Sequence, residues 1–288
     1  MYPRLFTIGP LTIYSYGLML GIGFILASYL LTKELQRKQV GFDSSLDDPK
    51  KGAAMLGSTL TLLAVIFGIA GSKILYLIEN WKYFVRDPLG MAFSPGGLTW
   101  YGGFILATLA ILIYTRRKRI SFLMTADAVA PGLMLGYGVA RIGCHLAGDG
   151  DYGMPTTLPW GTIYSNGTYP PSLAFKDFPE IVQKYGVNGV VPDSIPVHPA
   201  PVYEFIIAII LFSLLWRLRK NHYPTGTMFM FYLMLSGIAR FFVEFIRLNP
   251  RLLFGVSEAQ LIAVIMIAAG LVGRQVISRQ NSGEAAVQ

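Results

Sequence analysis

Seven long apolar segments constrain this chain more strongly than any other feature of its sequence. A helix needs roughly 17 to 25 mostly apolar residues to cross the hydrocarbon core of a bilayer. Segments that satisfy this rule lie at 13–32, 53–78, 97–115, 122–147, 200–216, 226–247 and 256–273. Tryptophan and many tyrosine residues fall near their ends, as in the aromatic belts of membrane proteins. We therefore predict an all-α membrane protein with about seven transmembrane helices.

The composition agrees with this fold class. Hydrophobic residues make up 53% of the 288 residues and charged residues only 14%, whereas soluble domains carry about 25% charged residues. The first twelve residues, MYPRLFTIGPLT, lack the features of a cleavable signal peptide, so we expect the first helix to be retained. We predict a single polytopic membrane domain over residues 1–280 and a disordered cytoplasmic tail over 281–288.

Lys and Arg are distributed unequally between the two ends of the predicted spans. One set of flanks carries fourteen of them, in clusters such as KELQRK, RRKR and RLRK, and the opposite flanks carry seven, Arg251 included. Because the more basic flanks stay in the cytoplasm, we predict an external N-terminus and a cytoplasmic C-terminus. This bias accounts for most of the net charge of +8, so we expect no nucleic-acid partner.

Two of the connections on the predicted external side have informative compositions. The external loop, about 148–199, is rich in Gly, Pro, Asn and Asp, a composition that favours turns over helices. A loop of that length is typically a lid or a substrate platform. The shorter connection, 80–97, carries interleaved aromatic residues, which fit an interfacial segment at headgroup level and a plain linker equally well.

Ionisable residues within the spans carry the functional signal, because a charge in hydrocarbon needs a partner or an aqueous cavity. Seven such residues lie in or at the edges of the predicted helices: Lys73, Glu79, Asp127, Arg141, Glu204, Arg240 and Glu244. Arg141 opens the stretch RIGCHLAGDGDYG at the end of a long apolar segment. A guanidinium stays protonated under biological conditions, so Arg141 requires an anionic partner, water or both.

The segment GIARFFVEFIR places Arg240, Glu244 and Arg247 at i, i+4 and i+7, on one stripe of a helix. One interpretation is an Arg240–Glu244 pair that simply neutralises itself. The other interpretation includes Arg141, which falls at a similar depth in its own helix. Two guanidinium groups at that depth could grip one phosphate between them.

The fifth span opens with HPAPVYEF, in which the prolines suit a first helical turn. His198 is expected at the edge of the external loop, with Tyr203 and Glu204 a turn or so deeper. A lone interfacial histidine is as often a hydrogen-bonded structural group as a catalytic one. The only cysteine, Cys144, excludes an internal disulfide.

Five blocks, in this order, resemble the prolipoprotein diacylglyceryl transferases of the bacterial cytoplasmic membrane: YSYGLML, GGLTWYGG, RIGCHLAGDGDYG, HPAPVYEF and RFFVEFIR. The resemblance covers essentially the whole chain. It implies a multi-pass enzyme of the inner membrane, with its active site toward the external or periplasmic face. Such an enzyme transfers diacylglycerol from phosphatidylglycerol to the lipobox cysteine thiol of an exported prolipoprotein and releases glycerol phosphate. Its partners are these two substrates and membrane lipids, and neither a cofactor nor a metal is implied.

The resemblance also assigns individual residues. The phospholipid-binding arginine of the family corresponds to Arg141, and its second essential arginine to Arg240. We expect catalytic roles for Tyr101, Arg240, His198 and Glu244. We expect substrate-binding roles for Arg141, Tyr16, Cys144, His145, Asp149, Gly153 and Glu204.

Three positions depart from the family pattern. Tyr101 stands where histidine is usual in the best-studied members, Cys144 where asparagine is usual, and Ser236 where tyrosine is usual. A free thiol with a pKa of about 8.5 is already a few per cent thiolate at neutral pH, so a strong base is helpful but not obligatory. Tyr101, His145 and His198 remain alternative bases.

Two alternative functions stay open at this point. One is a family relative that uses another lipid phosphate or another acceptor. The other is a non-enzymatic lipid or anion transporter that uses the same arginines. A broken-helix transporter would carry Gly- or Pro-interrupted spans at corresponding positions in two halves, and only the APG at 130–132 suggests such an interruption.

Overall fold

The computed structural model of this chain describes residues 1–9, 11–42, 44–94, 96–250 and 255–285. The chain is mostly helical, at 66%, as the sequence predicts. It forms two compact units, the first made of Met1–Ala27 with Val129–Gln288 and the second of Ser28–Ala128. Helices α1 (Ser15–Arg37) and α6 (Phe122–Ala147) each contribute residues to both units.

Among the described residues, five helices are long and apolar enough to cross a membrane. They are α1, α2 (Lys50–Glu79), α6, α9 (Ala200–Leu218) and α11 (Glu258–Ala285). Helix α10 (Thr227–Val243) is apolar but shorter, and α5 (Trp100–Arg117) coincides with the predicted third span. A multi-pass, mainly α-helical membrane protein is therefore confirmed, whereas the count of seven spans and the orientation stay predictions. Arg251 lies outside the described residues.

The second unit is built on α2 and α5. These helices pack closely because Gly71 and Gly102 face each other with no room for a Cβ on either residue. Two short helices, α3 (Trp81–Phe84) and α4 (Pro88–Phe93), fill the 80–97 connection. Asp87 caps α4 by accepting a hydrogen bond from the Gly90 amide at 2.9 Å.

The first unit opens with an antiparallel hairpin, which the all-α prediction did not include. Its strands are β1 (Arg4–Ile8) and β2 (Leu11–Tyr14). The predicted first span began within β2 because strand residues there are also apolar. The Ser15 amide donates to the Pro3 carbonyl at 3.0 Å, which ties the hairpin to the start of α1. Helix α1 then packs on α6, where a Cβ at Gly23 would lie 3.0 Å from the Gly136 carbonyl oxygen.

The 148–199 loop folds around a small core of its own. Six of its residues are buried together: Tyr152, Tyr164, Phe175, Ile181, Val191 and Val197. It contains two short helices, α7 (Pro171–Ala174) and α8 (Pro179–Tyr185), so the prediction of turns without helices is wrong there. Both helices have proline in the first turn, where proline fits a helix start.

Helix α11 extends beyond the predicted seventh span and into the predicted tail, as far as Ala285. Residues 286–288 lie outside the described residues. The boundary between a membrane domain and a disordered tail therefore stays a prediction.

Candidate functional site

Six charged side chains converge in the first unit, where α6, α9 and α10 meet the 148–199 loop. We call them the charge cluster: Arg141, Asp151, Glu204, Arg240, Glu244 and Arg247. Three guanidinium groups face three carboxylates, so the cluster is formally neutral. Charges this deep in a protein persist only when they are paired and hydrogen-bonded.

Glu204 is the centre of the charge cluster. Its Oε2 forms an ion pair with Arg141, 2.9 Å from Nε. Its Oε1 accepts from Arg240 Nη1 at 3.1 Å and from Arg247 Nη1 at 3.2 Å. The side chain is only 2% exposed, because it lies on the first turns of α9, directly behind Pro199 and Pro201. One carboxylate thus holds all three arginines in place.

The Arg240–Glu244 pair that the helical spacing predicts is present, at 3.2 Å between Nη2 and Oε2. It is not isolated, since Arg240 also binds Glu204. The other oxygen of Glu244 accepts from Asn249 Nδ2 and from Ser257 Oγ, the latter at 2.8 Å. Glu244 is 0% exposed, so it connects Arg240 to the segment that begins α11.

The N-terminus of α11 is closed by a capping box. The Ser257 hydroxyl accepts from the Gln260 amide at 3.2 Å, and the Gln260 side chain accepts from the Ser257 amide at 3.0 Å. This reciprocal arrangement satisfies two amides that a helix start leaves without intrahelical partners. The Ser257 hydroxyl can therefore donate its proton to Glu244 while it caps the helix.

Asp151 and Arg247 belong to the charge cluster in addition to the predicted site residues. Asp151 binds Arg141 Nη1 through one oxygen and Arg247 Nη2, at 2.5 Å, through the other. Burial tends to raise the pKa of Asp151, but Arg247 and Arg141 outweigh it and hold this pKa below its ordinary value. Arg247 could have been found from its spacing of seven residues from Arg240 on the predicted helical stripe. The sequence feature nearest to Asp151 is the repeated Gly-Asp pair at 148–151.

Asp149 faces a different environment in the same turn. Its Oδ1 accepts from the Asp151 amide at 3.3 Å, and burial followed by the neighbouring Asp151 charge raises its pKa. Asp149, Asp151 and buried Cys144 offer ligand atoms within 4.8 Å of one another. Both Asp151 oxygens already bind arginines, which leaves two ligands where structural zinc needs about four. The residues present therefore fit an ion-pair network better than a metal site.

The two candidate histidines differ in their surroundings. His145 lies 2.8 Å from the hydroxyl of Tyr164 through Nδ1, and Tyr164 is fully buried in the core of the 148–199 loop. His198 Nδ1 lies 3.4 Å from the hydroxyl of Tyr203, which accepts a hydrogen bond from Trp160 at 2.8 Å. Burial lowers the pKa of His198, which favours the neutral imidazole.

Gly153 lies at a crossing of three chain segments. Its amide donates to the His198 carbonyl at 2.8 Å, and a Cβ at this position would collide with the Ile246 carbonyl and lie 3.0 Å from the His198 Cβ. Close backbone packing therefore explains glycine here. This crossing holds Asp151, His198 and Arg247 near one another.

Tyr16 and Tyr101 complete the predicted site residues. Tyr16 is the second residue of α1 in the first unit, where a Cβ at Gly143 would lie 3.2 Å from its Cα. It lies beside α6, and its binding role stays a prediction. Tyr101 lies on the first turn of α5, in the second unit, with its ring edge-on to Trp100 at 5.4 Å. Its part in the site stays a prediction.

Comparisons with known proteins all find members of one family. The chain matches the family model "Prolipoprotein diacylglyceryl transferase" over residues 3–275. It is 35% identical over 265 residues to phosphatidylglycerol–prolipoprotein diacylglyceryl transferase 2 of Clostridium perfringens, across 91% of this chain and 90% of the relative. It is 30% identical over 273 residues to the phosphatidylglycerol–prolipoprotein diacylglyceryl transferase of Clostridium tetani, across 94% and 96%. The protein of that name in Trichormus variabilis is 30% identical over 278 residues, across 94% and 88%. A match of this length includes the segments that build the charge cluster, and the chain therefore belongs to the prolipoprotein diacylglyceryl transferase family.

Proposed function

We propose that this protein transfers the diacylglyceryl group of phosphatidylglycerol to the lipobox cysteine thiol of a prolipoprotein. Relatives that match over nearly the whole chain carry the name of this donor and this acceptor. The observation that carries the proposal is the convergence of three guanidinium groups on one buried carboxylate. Such planar donors match the oxygens of a phosphate.

In this reaction the acceptor sulfur attacks the terminal glyceryl carbon, and the bond from that carbon to the phosphate oxygen breaks. A thioether forms, and glycerol phosphate leaves with the electron pair and, at the end, with the thiol proton. Negative charge grows on the leaving phosphate, so donors fixed beside it lower the barrier. The three arginines of the charge cluster supply such donors: Arg141 and Arg240 are 19% and 25% exposed, and Arg247 binds the same Glu204 oxygen as Arg240.

The remaining site residues fall into supporting roles. Glu244 is a positioning residue for Arg240, because it is fully buried and holds that guanidinium. His198 is a candidate to accept the thiol proton, because burial lowers the pKa of its imidazole and favours the form that can take up a proton. His145 joins α6 to the 148–199 loop through Tyr164. Tyr101 orients a substrate through its hydroxyl, which Tyr101→Phe tests by a loss of much of the activity.

The protein acts in the bacterial cytoplasmic membrane, with the charge cluster toward the external face. Family membership and five membrane-length apolar helices among the described residues support the membrane location. The excess of Lys and Arg on the opposite flanks supports the orientation.

The decisive test is transfer in a defined membrane. The purified protein is placed in phosphatidylglycerol vesicles with a lipobox peptide, and the peptide mass is measured. We expect a gain equal to one diacylglyceryl group on cysteine, together with released glycerol phosphate. A peptide with serine in place of the lipobox cysteine is the matched control. Lipid movement across the vesicle without any modified peptide would favour the transporter instead.

A further inference from the structure

The charge cluster has no net positive charge to offer to a substrate anion. Its three arginines are matched by three carboxylates. A bound phosphodiester would therefore add an uncompensated negative charge to a largely buried site. Such an addition is unfavourable at low dielectric constant unless one carboxylate gives up its arginine contacts.

Two of the three carboxylates are fixed. Glu204 lies on α9 and binds all three arginines of the cluster. Glu244 ends α10 and is held by Arg240, Asn249 and Ser257. Moving either side chain would break at least three interactions in a buried helical environment, so neither is suited to yield.

Asp151 differs from Glu204 and Glu244 in its exposure, its partners and its place in the backbone. Its side chain is 33% exposed, the largest value among the three carboxylates, and it has two arginine partners. It lies in a turn rather than on a helix, between Gly150 and Tyr152. Gly148 and Gly150, with φ of +59° and +89°, supply the backbone conformations that bring this short side chain to the arginines. Rotation of one short side chain is enough to release it.

We propose that Asp151 is a resident anion that occupies the phosphate position of the empty site and is displaced when phosphatidylglycerol binds. The inference rests on the proposed function, which supplies the phosphodiester. One Asp151 oxygen binds Arg141 and the other binds Arg247. The two non-bridging oxygens of a phosphodiester can reproduce this division between two guanidinium groups.

A resident anion changes what the site selects. An uncharged lipid such as diacylglycerol has no anionic group that can replace the Asp151 carboxylate. It therefore cannot bind the arginines in place of Asp151. The same competition weakens the binding of the released glycerol phosphate. Asp151 therefore lowers affinity for substrate and product together and favours product release.

The experiment compares the wild type with Asp151→Asn in phosphatidylglycerol mixed micelles with a lipobox peptide. The variant should show a KM for phosphatidylglycerol and an inhibition constant for glycerol phosphate that are both lower by about tenfold, which corresponds to roughly 1.4 kcal/mol. Asp177→Asn is the control. It removes the same charge from the same loop at a carboxylate that is 78% exposed, and both constants should stay at wild-type values.

A higher KM combined with a lower kcat in Asp151→Asn would overturn the inference, because Asp151 would then orient the arginines rather than compete for them. Failure of the wild type to modify the peptide would count against the proposed function instead. In that case the inference is tested by thermal stabilisation with inorganic phosphate, which should be larger for Asp151→Asn than for the wild type. Equal stabilisation overturns it. If Asp151→Asn does not fold, Asp151→Ser removes the same carboxylate and is subject to the same outcomes.

Discussion

Buried charges are treated differently in the two units of the molecule. In the second unit, the charged side chains form pairs: Lys38 lies 3.7 Å from Asp127, and Arg37 lies 2.8 Å from Glu34. Lys73 donates to Ser94 and Gly96 oxygens at 2.8–2.9 Å. The charge cluster of the first unit instead joins six charges from α6, α9, α10 and two connecting segments. Any buried charge must be neutralised, so a buried pair is a weak sign of function, and a network that joins several segments is the stronger one.

Loss of the Glu204 carboxylate, which all three arginines share, should reduce stability and activity more than any other change considered. Glu204→Ala leaves three arginines with two carboxylates, and breaking a buried pair costs about 3–5 kcal/mol. We expect a lower melting temperature in detergent and no measurable transfer. The matched change in the second unit is the double variant Lys38→Met with Asp127→Leu, which removes both partners. That variant should keep its stability within about 1 kcal/mol and its full activity; equal damage from both variants would erase the contrast between the units.

The next largest loss of activity is expected when the planar guanidinium of Arg141 is replaced by an ammonium group. Arg141→Lys keeps the charge but loses the planar fork, and we expect turnover to fall by about 100-fold, as for other lost transition-state donors. Expression and membrane insertion should be unchanged. Lys38→Arg in the second unit is the control and should alter turnover less than about twofold. Wild-type turnover in Arg141→Lys would remove the phosphate-binding argument.

A smaller effect is expected at the start of α11. Ser257→Ala removes a helix cap, which costs about 0.5–2 kcal/mol, and it also removes one hydrogen bond to Glu244. Because Glu244 positions Arg240, kcat should fall several-fold with little change in KM. Thermal unfolding and steady-state kinetics measure the two consequences separately. A stability loss with unchanged kcat would restrict Ser257 to its capping role.

The smallest effect is a pH dependence. The pKa of His198 is lowered in the folded protein, so the unfolded chain binds a proton more readily. This residue therefore lowers the free energy of unfolding as pH falls below about 6.5 and contributes nothing at higher pH. His198→Gln should flatten that part of the stability curve and, if His198 accepts the thiol proton, lower kcat at neutral pH. Superimposable stability curves for the two proteins would contradict the assignment.

Some of this could be predicted from the sequence and some could not. The length of the apolar segment predicted both bounds of α6 correctly. This is possible because the length of a membrane-spanning helix is set by the bilayer and not by the helices around it. The hairpin of β1 and β2 was missed because its apolar residues also suit a helix, and α7 and α8 were missed because a Pro-rich composition masked them. Similar depth predicted that Arg141 and Arg240 grip one phosphate, which stays a prediction; the two side chains are close enough to bind one carboxylate, Glu204. The contacts of Asp151 depend on how a turn folds back onto α6 and onto the segment that follows α10, which no local pattern encodes.

The residues of the charge cluster are also synthesised in a fixed order. During synthesis Arg141 enters the membrane before its partner Glu204 exists, and Glu204 precedes Arg240, Arg247 and the α11 segment that Ser257 begins. α6 and α9 therefore enter the membrane with charges whose partners lie on other segments, whereas Arg240 has Glu244 four residues away. Lipid offers no lasting substitute for a missing partner. A chain arrested before α11 carries every arginine of the cluster and still lacks the Ser257 hydroxyl that binds Glu244.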